Sequence, residues 1–260
     1  EAAALNPMTA TTYGVGELLC TADRHATSRI LIGLGGSATV DGGIGCAGAL
    51  GWRFFDRRGA ALPSDPRALP AVHRIERAAP LGAQVIALAD VRTGIAGPHG
   101  AARVFGPQKG ATPDMVNWLD RALAHWALVV EGETGVAIAD LPGGGAAGGL
   151  GAALAAFARA ELRSGSDWVL ASVGIDPLLH AADVIVTGEG SYDEQSALGK
   201  ITGKLIERAG RIGKPVILIA GSILGEVPAN VTAVTNGGAR LTEADLGRLA
   251  RAAATTLLAP

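Results

Sequence analysis

Apolar runs of strand length recur along the chain, and a helical segment follows each of them. These runs cover Ile30–Leu34, Gln84–Ala89, Asp183–Thr187 and Lys214–Ala220. A strand that is apolar on both sides must be covered on both sides, and alternating strands and helices build parallel sheets of this kind. The sequence therefore predicts an α/β fold. Ligands of such sheets bind beyond the carboxyl ends of the strands, so we expect function in the loops that follow these four runs.

The composition excludes several classes of protein. With 48% hydrophobic and 18% charged residues in 260, the chain can bury a core and is not disordered. A net charge of -2 and a pI of about 6.2 argue against a nucleic-acid-binding surface. The longest uncharged stretch, 141–158, is rich in glycine and predicts no membrane span. Two cysteines, Cys20 and Cys46, are too few for a disulfide framework, so we expect a cytoplasmic protein.

Glycine accounts for 38 of the 260 residues, about twice its usual share. The glycines form short clusters at the ends of apolar runs, where a backbone turns tightly or approaches a ligand. Only four residues are lysines, at 109, 200, 204 and 214, in an otherwise arginine-rich chain. Each lysine is therefore examined as a candidate for chemistry.

The first glycine cluster is GLGGSATVDGG at 33–43. Its backbone N–H groups can approach an anion closely, and hydroxyl groups add donors. The candidate ligands of a phosphate or substrate anion are Gly35, Gly36, Ser37 and Thr39. Asp41 could orient a metal ion or a substrate hydroxyl and is a catalytic candidate. A purely structural turn is the alternative.

Two further glycine segments precede helices. In the segment 106–111, Lys109 stands between glycines just before a helix with Thr112 as its cap and Pro113 at its first position. We predict that Lys109 neutralises a phosphate or a carboxylate, with an exposed turn as the alternative. The segment 142–151 either cradles an anion or allows close helix packing, and the sequence does not decide between them.

The segment TGEGSYDEQSALGK at 187–200 joins a strand to a helix predicted over 196–210. Its carboxylates can hold Mg²⁺ or accept a proton. Asp193 is predicted as a magnesium ligand or catalytic base, and Glu189 as a magnesium ligand. The predicted phosphate-binding residues of this segment are Gly188, Gly190, Ser191 and Lys200. The alternative is that Asp193 or Ser196 only caps the helix.

The best-known nucleotide and metal motifs are absent. Gly199 and Lys200 lack the upstream glycine of a P-loop, and Asp193 stands where a dinucleotide-binding fingerprint needs its third glycine. No zinc spacing occurs, and the five histidines are scattered. A nicotinamide-dependent dehydrogenase is therefore a weak alternative, and a non-catalytic ligand-binding or assembly protein is a second.

Four phrases in this order and spacing resemble the bacterial type-1 glycerate kinase family. They are NPMTATTYGVGEL at 6–18, GGSATVDGG at 35–43, VFGPQKGA at 104–111 and TGEGSYDEQ at 187–195. The resemblance implies phosphorylation of glycerate by ATP, with Mg²⁺ as cofactor and the 2-hydroxyl as the favoured acceptor. It implies no nucleic-acid or membrane partner and leaves a homo-oligomer open.

The resemblance also implies two α/β domains. One is Rossmann-like with a parallel sheet, formed by 1–50 and 176–260, and the other is an inserted α/β domain with a mixed sheet at 51–175. Family members are longer at the amino end, so the first strands of the Rossmann-like domain would be missing here. The loops after Leu34 and Thr187 would then face one cleft.

Three positions depart from the common family pattern. Val40 stands where asparagine is usual, Ser191 where arginine is frequent, and Arg92–Gly94 replaces a run that ends Asn-Pro-Leu. None of these changes removes a candidate carboxylate or lysine. The missing arginine at 191 weakens any bidentate grip of this loop on a carboxylate.

Overall fold

The computed structural model describes residues 5–25, 27–193, 200–238 and 242–258. The chain divides into two compact units, Glu1–Arg163 and Ser164–Pro260. Helices and parallel strands alternate in both units, so the predicted α/β class is confirmed. No helix in the described ranges is long and apolar enough to cross a membrane.

The first unit contains two small sheets and the helices that cover them. Its helices are α1 (Tyr13–Arg24), α2 (Ile44–Ala49), α3 (Ala101–Phe105), α4 (Pro113–Thr134) and α5 (Ala146–Phe157). Its strands are β1 (Arg29–Gly33), β2 (Arg53–Phe55), β3 (Ala61–Leu62), β4 (Arg74–Glu76), β5 (Gln84–Leu88) and β6 (Glu161–Arg163).

The two sheets differ in strand direction. One is parallel with the order β1-β5-β6, and Ile32 of β1 pairs with Ala87 of β5. The other is antiparallel with the order β3-β2-β4. Because β1 and β5 run in the same direction, their carboxyl ends meet at one edge of the parallel sheet and bring the loops after them together.

The core of the first unit is built on α4. Thr112 caps this helix as predicted, since its hydroxyl oxygen accepts a hydrogen bond from the Met115 N–H at 3.3 Å. The buried face of α4 carries Trp126, whose ring lies 5.5 Å from that of Phe54 and 5.6 Å from that of Phe157 between centroids. All three aromatic side chains are buried, so they join α4, the antiparallel sheet and α5 in one cluster.

The second unit is a three-stranded parallel sheet with helices around it. It contains α6 (Gly165–Ser172), α7 (Ile175–Ala181), β7 (Ile185–Tyr192), α8 (Ile201–Arg211), β8 (Val216–Ile223), β9 (Val231–Thr235) and α9 (Glu243–Leu258). The strand order is β7-β8-β9. Lys204 and Arg208 of α8 each lie 3.1 Å from the carboxylate of Asp167, which ties α8 to α6.

Several expectations differ from the structure. The run of small and apolar residues at 148–162 predicts one helix, but the helix ends at Phe157 and the chain then forms β6 as the third strand of the parallel sheet. In the helix predicted over 196–210, residues 196–199 lie outside the described residues and α8 begins at Ile201. The sequence of α5 consists mainly of alanine and glycine, and this composition continues without a clear helix-ending residue. The end of the helix could therefore not be predicted from composition.

Within the first unit, β1 pairs with β5, which lies in the segment predicted as an inserted domain. The predicted grouping of 1–50 with 176–260 around an inserted domain at 51–175 stays a prediction.

Candidate active site

A pocket opens in the first unit beyond the carboxyl ends of β1 and β5, where the strand-end rule predicts a ligand. Its volume is about 550 Å³, within the range usual for small-molecule sites. It is lined by Leu5, Leu34, Gly35, Gly36, Ser37, Ala38, Val91, Phe105, Gln108, Lys109 and Ala147. Four of these residues were predicted to bind an anion, so the structure brings those four together.

The loop that follows β1 presents unused hydrogen-bond donors. In the described part of the chain, no acceptor receives the backbone N–H groups of Gly35, Gly36, Ser37 or Ala38. Gly36 has φ 59°, a left-handed conformation in which any side chain is strained. A Cβ added at Gly35 or Gly36 would have no atom within 4 Å, so both glycines border open space. These features suit the backbone for binding an anion.

Lys109 supplies the positive charge of the pocket. It ends a short 3-10 turn at 107–109, and only 4% of the residue is exposed. Its Nζ donates hydrogen bonds to the Ser37 hydroxyl oxygen and to the Thr39 carbonyl oxygen, both at 2.8 Å. Burial lowers the pKa of Lys109 from 10.5 to about 8, and the negative charge of Asp41 partly opposes this change. An anion that reached the ammonium group would therefore stabilise its charged form.

Asp41 lies in a buried network of hydrogen bonds. Its carboxylate is completely buried and accepts hydrogen bonds from the Thr12 N–H and hydroxyl at 2.8 Å each, and from the Gly43 N–H at 3.0 Å. Burial raises the pKa of Asp41, although these donors oppose the shift. The Thr12 hydroxyl also accepts a hydrogen bond from the Cys46 N–H at 3.0 Å. Through these contacts Asp41 fixes the loop before α2, and its predicted catalytic role stays a prediction.

The glycine segment at 142–151 packs against this loop. The Gly42 N–H donates to the Gly148 carbonyl oxygen at 3.0 Å, and Trp126 Nε1 donates to the Gly42 carbonyl oxygen at the same distance. A Cβ on Gly148 would lie 2.0 Å from the Thr39 carbonyl oxygen, so only glycine allows this approach. Close packing is therefore the main role of the segment, although Ala147 also lines the pocket.

Thr39 contributes to this loop through its backbone. Its hydroxyl donates to the Ala147 carbonyl oxygen at 3.4 Å, and the residue does not line the pocket. The Thr39 carbonyl oxygen holds Lys109 in place. The predicted contact between the Thr39 hydroxyl and an anion stays a prediction.

The remaining predicted residues lie in the second unit, on β7 and just after it. Gly188, Gly190 and Ser191 belong to β7, and Asp193 follows its last residue. A Cβ on Gly188 would lie 2.5 Å from the Ile219 carbonyl oxygen of β8, so this glycine allows close strand contact. The Ser191 hydroxyl oxygen accepts a hydrogen bond from the Ser222 hydroxyl at 2.9 Å.

The charged groups of this segment include an ion pair. Lys200 Nζ lies 3.6 Å from a carboxylate oxygen of Glu189, whose side chain is 14% exposed. In the described ranges, no group of three or more His, Cys, Asp or Glu side chains could hold a metal ion. Mg²⁺ is commonly held by one or two carboxylates together with substrate phosphates and water. Glu189 and Asp193 fit that smaller donor set.

Sequence reasoning missed some of these residues. Phe105 and Gln108 line the pocket, and Thr12 organises Asp41, yet none of them was a candidate. Two of them lie beside Lys109 in the motif 104–111, and Thr12 lies in the motif 6–18. Membership of these motifs was therefore the signal that could have identified the three residues. The conformation of a loop that binds a ligand depends on its uncharged residues as well as on its charged ones.

Comparisons with known proteins agree with this geometry. The model of the glycerate kinase family matches residues 1–248. The chain is 41% identical over 224 residues to a glycerate kinase of Halalkalibacterium halodurans and 40% identical over 226 residues to the glycerate 2-kinase of Escherichia coli. These matches cover 84% and 85% of the chain, but only 58% and 59% of the relatives.

A solved structure from Salmonella typhimurium LT2, described as a glycerate kinase 2, has the same fold. The TM-score is 0.76 at 36% sequence identity, and the match covers 99% of this chain and 72% of the other. The chain belongs to the glycerate kinase family.

Proposed function

We propose that the protein containing this chain transfers a phosphoryl group from ATP to glycerate, with the 2-hydroxyl as the favoured acceptor. The observation that carries the proposal is the buried ammonium of Lys109 beside unused N–H groups in a strand-end pocket. Phosphoryl transfer needs mainly positioning and neutralisation of charge, and these residues supply both. The family membership reported above supports the same reaction.

The residues have separate roles in this proposal. Lys109, with Gly35, Gly36 and Ser37, binds an anionic group of a substrate. Asp193 acts as the base for the glycerate hydroxyl or as a ligand of Mg²⁺. A magnesium ion held by this carboxylate would supply positive charge that balances the charge of the transferring phosphates.

The second unit supplies further phosphate contacts in this proposal. We assign Glu189 as a magnesium ligand, and Gly188, Gly190, Ser191 and Lys200 as phosphate contacts. The ion pair between Glu189 and Lys200 supports a charged site there. We also propose a cytoplasmic location, consistent with two free cysteines.

The test is product formation by the full-length protein. It is incubated with ATP, Mg²⁺ and D-glycerate, and phosphorus NMR identifies the products. We expect ADP and 2-phosphoglycerate, with no phosphoglycerate when glycerate is omitted. Binding of glycerate without any product would instead favour a catalytically inactive ligand-binding homologue. Formation of 3-phosphoglycerate would keep the kinase and correct the acceptor position.

A further inference from the structure

The pocket in the first unit has a simple charge composition. Among the described residues that line it, Lys109 carries the single charged side chain and none is a carboxylate. Magnesium takes oxygen ligands, usually carboxylates and phosphates. The candidate carboxylates Glu189 and Asp193 belong to the second unit. The lining therefore suits an anion that arrives without a metal ion.

Charge balance points to the same class of ligand. One ammonium group matches the charge of one carboxylate. A nucleotide triphosphate carries several negative charges and needs a metal ion or more cations to neutralise them. Apolar side chains from Leu34, Val91 and Phe105 complete the wall, and they suit a short carbon chain better than a polyphosphate.

The hydrogen bonds of Lys109 determine which protons in the pocket remain available to a ligand. Because the Ser37 oxygen accepts a hydrogen bond from Lys109, its own proton is available to another acceptor. Lys109 keeps one of its three protons after donating to Ser37 and Thr39. Together with the N–H groups of residues 35–38, these donors can bind both oxygens of a carboxylate.

We propose that this pocket binds the carboxylate of the hydroxy-acid acceptor in a metal-free manner, and that the Ser37 hydroxyl is a determinant of its affinity. The inference rests on the proposed function and adds to it which substrate the first unit binds. The magnesium-bound nucleotide then makes its contacts with residues outside this lining.

The test compares the two substrates in the full-length protein and its Ser37→Ala variant. We expect the KM for glycerate to rise at least about fivefold, since a hydrogen bond to a charged group is lost, and the KM for ATP to change less than about twofold. Ser37→Thr keeps the hydroxyl and should retain most of the affinity. Ser172→Ala is the matched control, because the exposed Ser172 hydroxyl donates only to the Trp168 carbonyl oxygen of its own helix.

A second measurement needs no turnover. Calorimetry follows the binding of D-glycerate to the full-length protein in EDTA, without nucleotide. We expect binding that Ser37→Ala weakens by the same factor as it raises KM. Binding that requires Mg²⁺, or an increase in the KM for ATP alone, would overturn the inference while the proposed function stands. Metal-free glycerate binding by a protein that forms no phosphoglycerate would support the inference and contradict the proposed function.

Discussion

The ammonium nitrogen of Lys109 lies 2.8 Å from the hydroxyl oxygen of Ser37, 72 positions earlier in the chain. Two separate glycine motifs therefore meet at the ammonium group of Lys109, which also donates to the Thr39 carbonyl oxygen. One motif contributes a loop of unused N–H groups, and the other contributes a buried positive charge. Each alone is a common turn, and together they provide the donors and the positive charge that an anion would need.

Removing the positive charge of Lys109 should weaken substrate binding. We expect Lys109→Met to raise the KM for glycerate at least about tenfold, which is roughly 1.4 kcal/mol of lost binding. Steady-state kinetics of the full-length protein measure this effect. Lys214→Met is the matched control, because Lys214 lies just before β8 in the second unit and does not line the pocket. Unchanged kinetics for both substrates would return Lys109 to a structural role.

Asp193 should affect the rate rather than the fold. Asp193→Asn keeps most of the ability to cap a helix and loses the charge that a base or a magnesium ligand needs. We expect kcat to fall at least about a hundredfold, with little change in melting temperature. Asp140→Asn, at an exposed position, is the control. A variant with nearly normal kcat would contradict the assignment of Asp193.

The hydrogen bonds between Asp41 and Thr12 predict that a change at Thr12 lowers the stability of the fold. Thr12→Val removes a hydroxyl that donates to Asp41 and accepts from the Cys46 N–H. A buried group left without a partner costs about 1–3 kcal/mol, so the free energy of unfolding should fall by that amount. Urea denaturation measures it, with Thr9→Val at an exposed site as control. Equal stability of the two variants would show that this network is not needed.

The residue types of the pocket could be predicted from the sequence better than their arrangement. Gly36, Ser37 and Lys109 were candidates because glycine, hydroxyl and lysine residues followed strands or preceded helices, and all three line one pocket. Their role in binding stays a prediction. The structural setting of Asp41 could not be predicted, since it depends on Thr12, 29 positions earlier. Similarly, the sequence favours a continuous helix where β6 forms, because the three residues of this strand carry too weak a pattern to identify it.

The close contact between the glycine segments 33–43 and 142–151 can be tested by adding a side chain at the contact. Gly148 has φ 71°, and a Cβ there would lie 2.0 Å from the Thr39 carbonyl oxygen. We expect Gly148→Ala to lower the free energy of unfolding by at least about 2 kcal/mol through strain and displacement of the loop.

Gly132→Ala is the control for this change. Gly132 lies within α4, and a Cβ there meets no atom within 4 Å, so alanine should stabilise the protein by about 0.5–1 kcal/mol. Denaturant titration of both variants measures the two effects. A neutral Gly148→Ala variant would contradict the tight packing of this loop.

The pH dependence of glycerate affinity tests the role of Lys109 most directly. The pKa of Lys109 is about 8, so the group loses its charge as pH rises above that value. Glycerate is already ionised there, and binding must then restore the proton to Lys109. The KM for glycerate should therefore rise about tenfold per pH unit above pH 8. Lys109→Arg should show a flat profile over the same range, because arginine stays charged. A flat profile in the unmodified protein, or an equal rise in both proteins, would contradict the assignment of Lys109 as the cation that binds the acceptor.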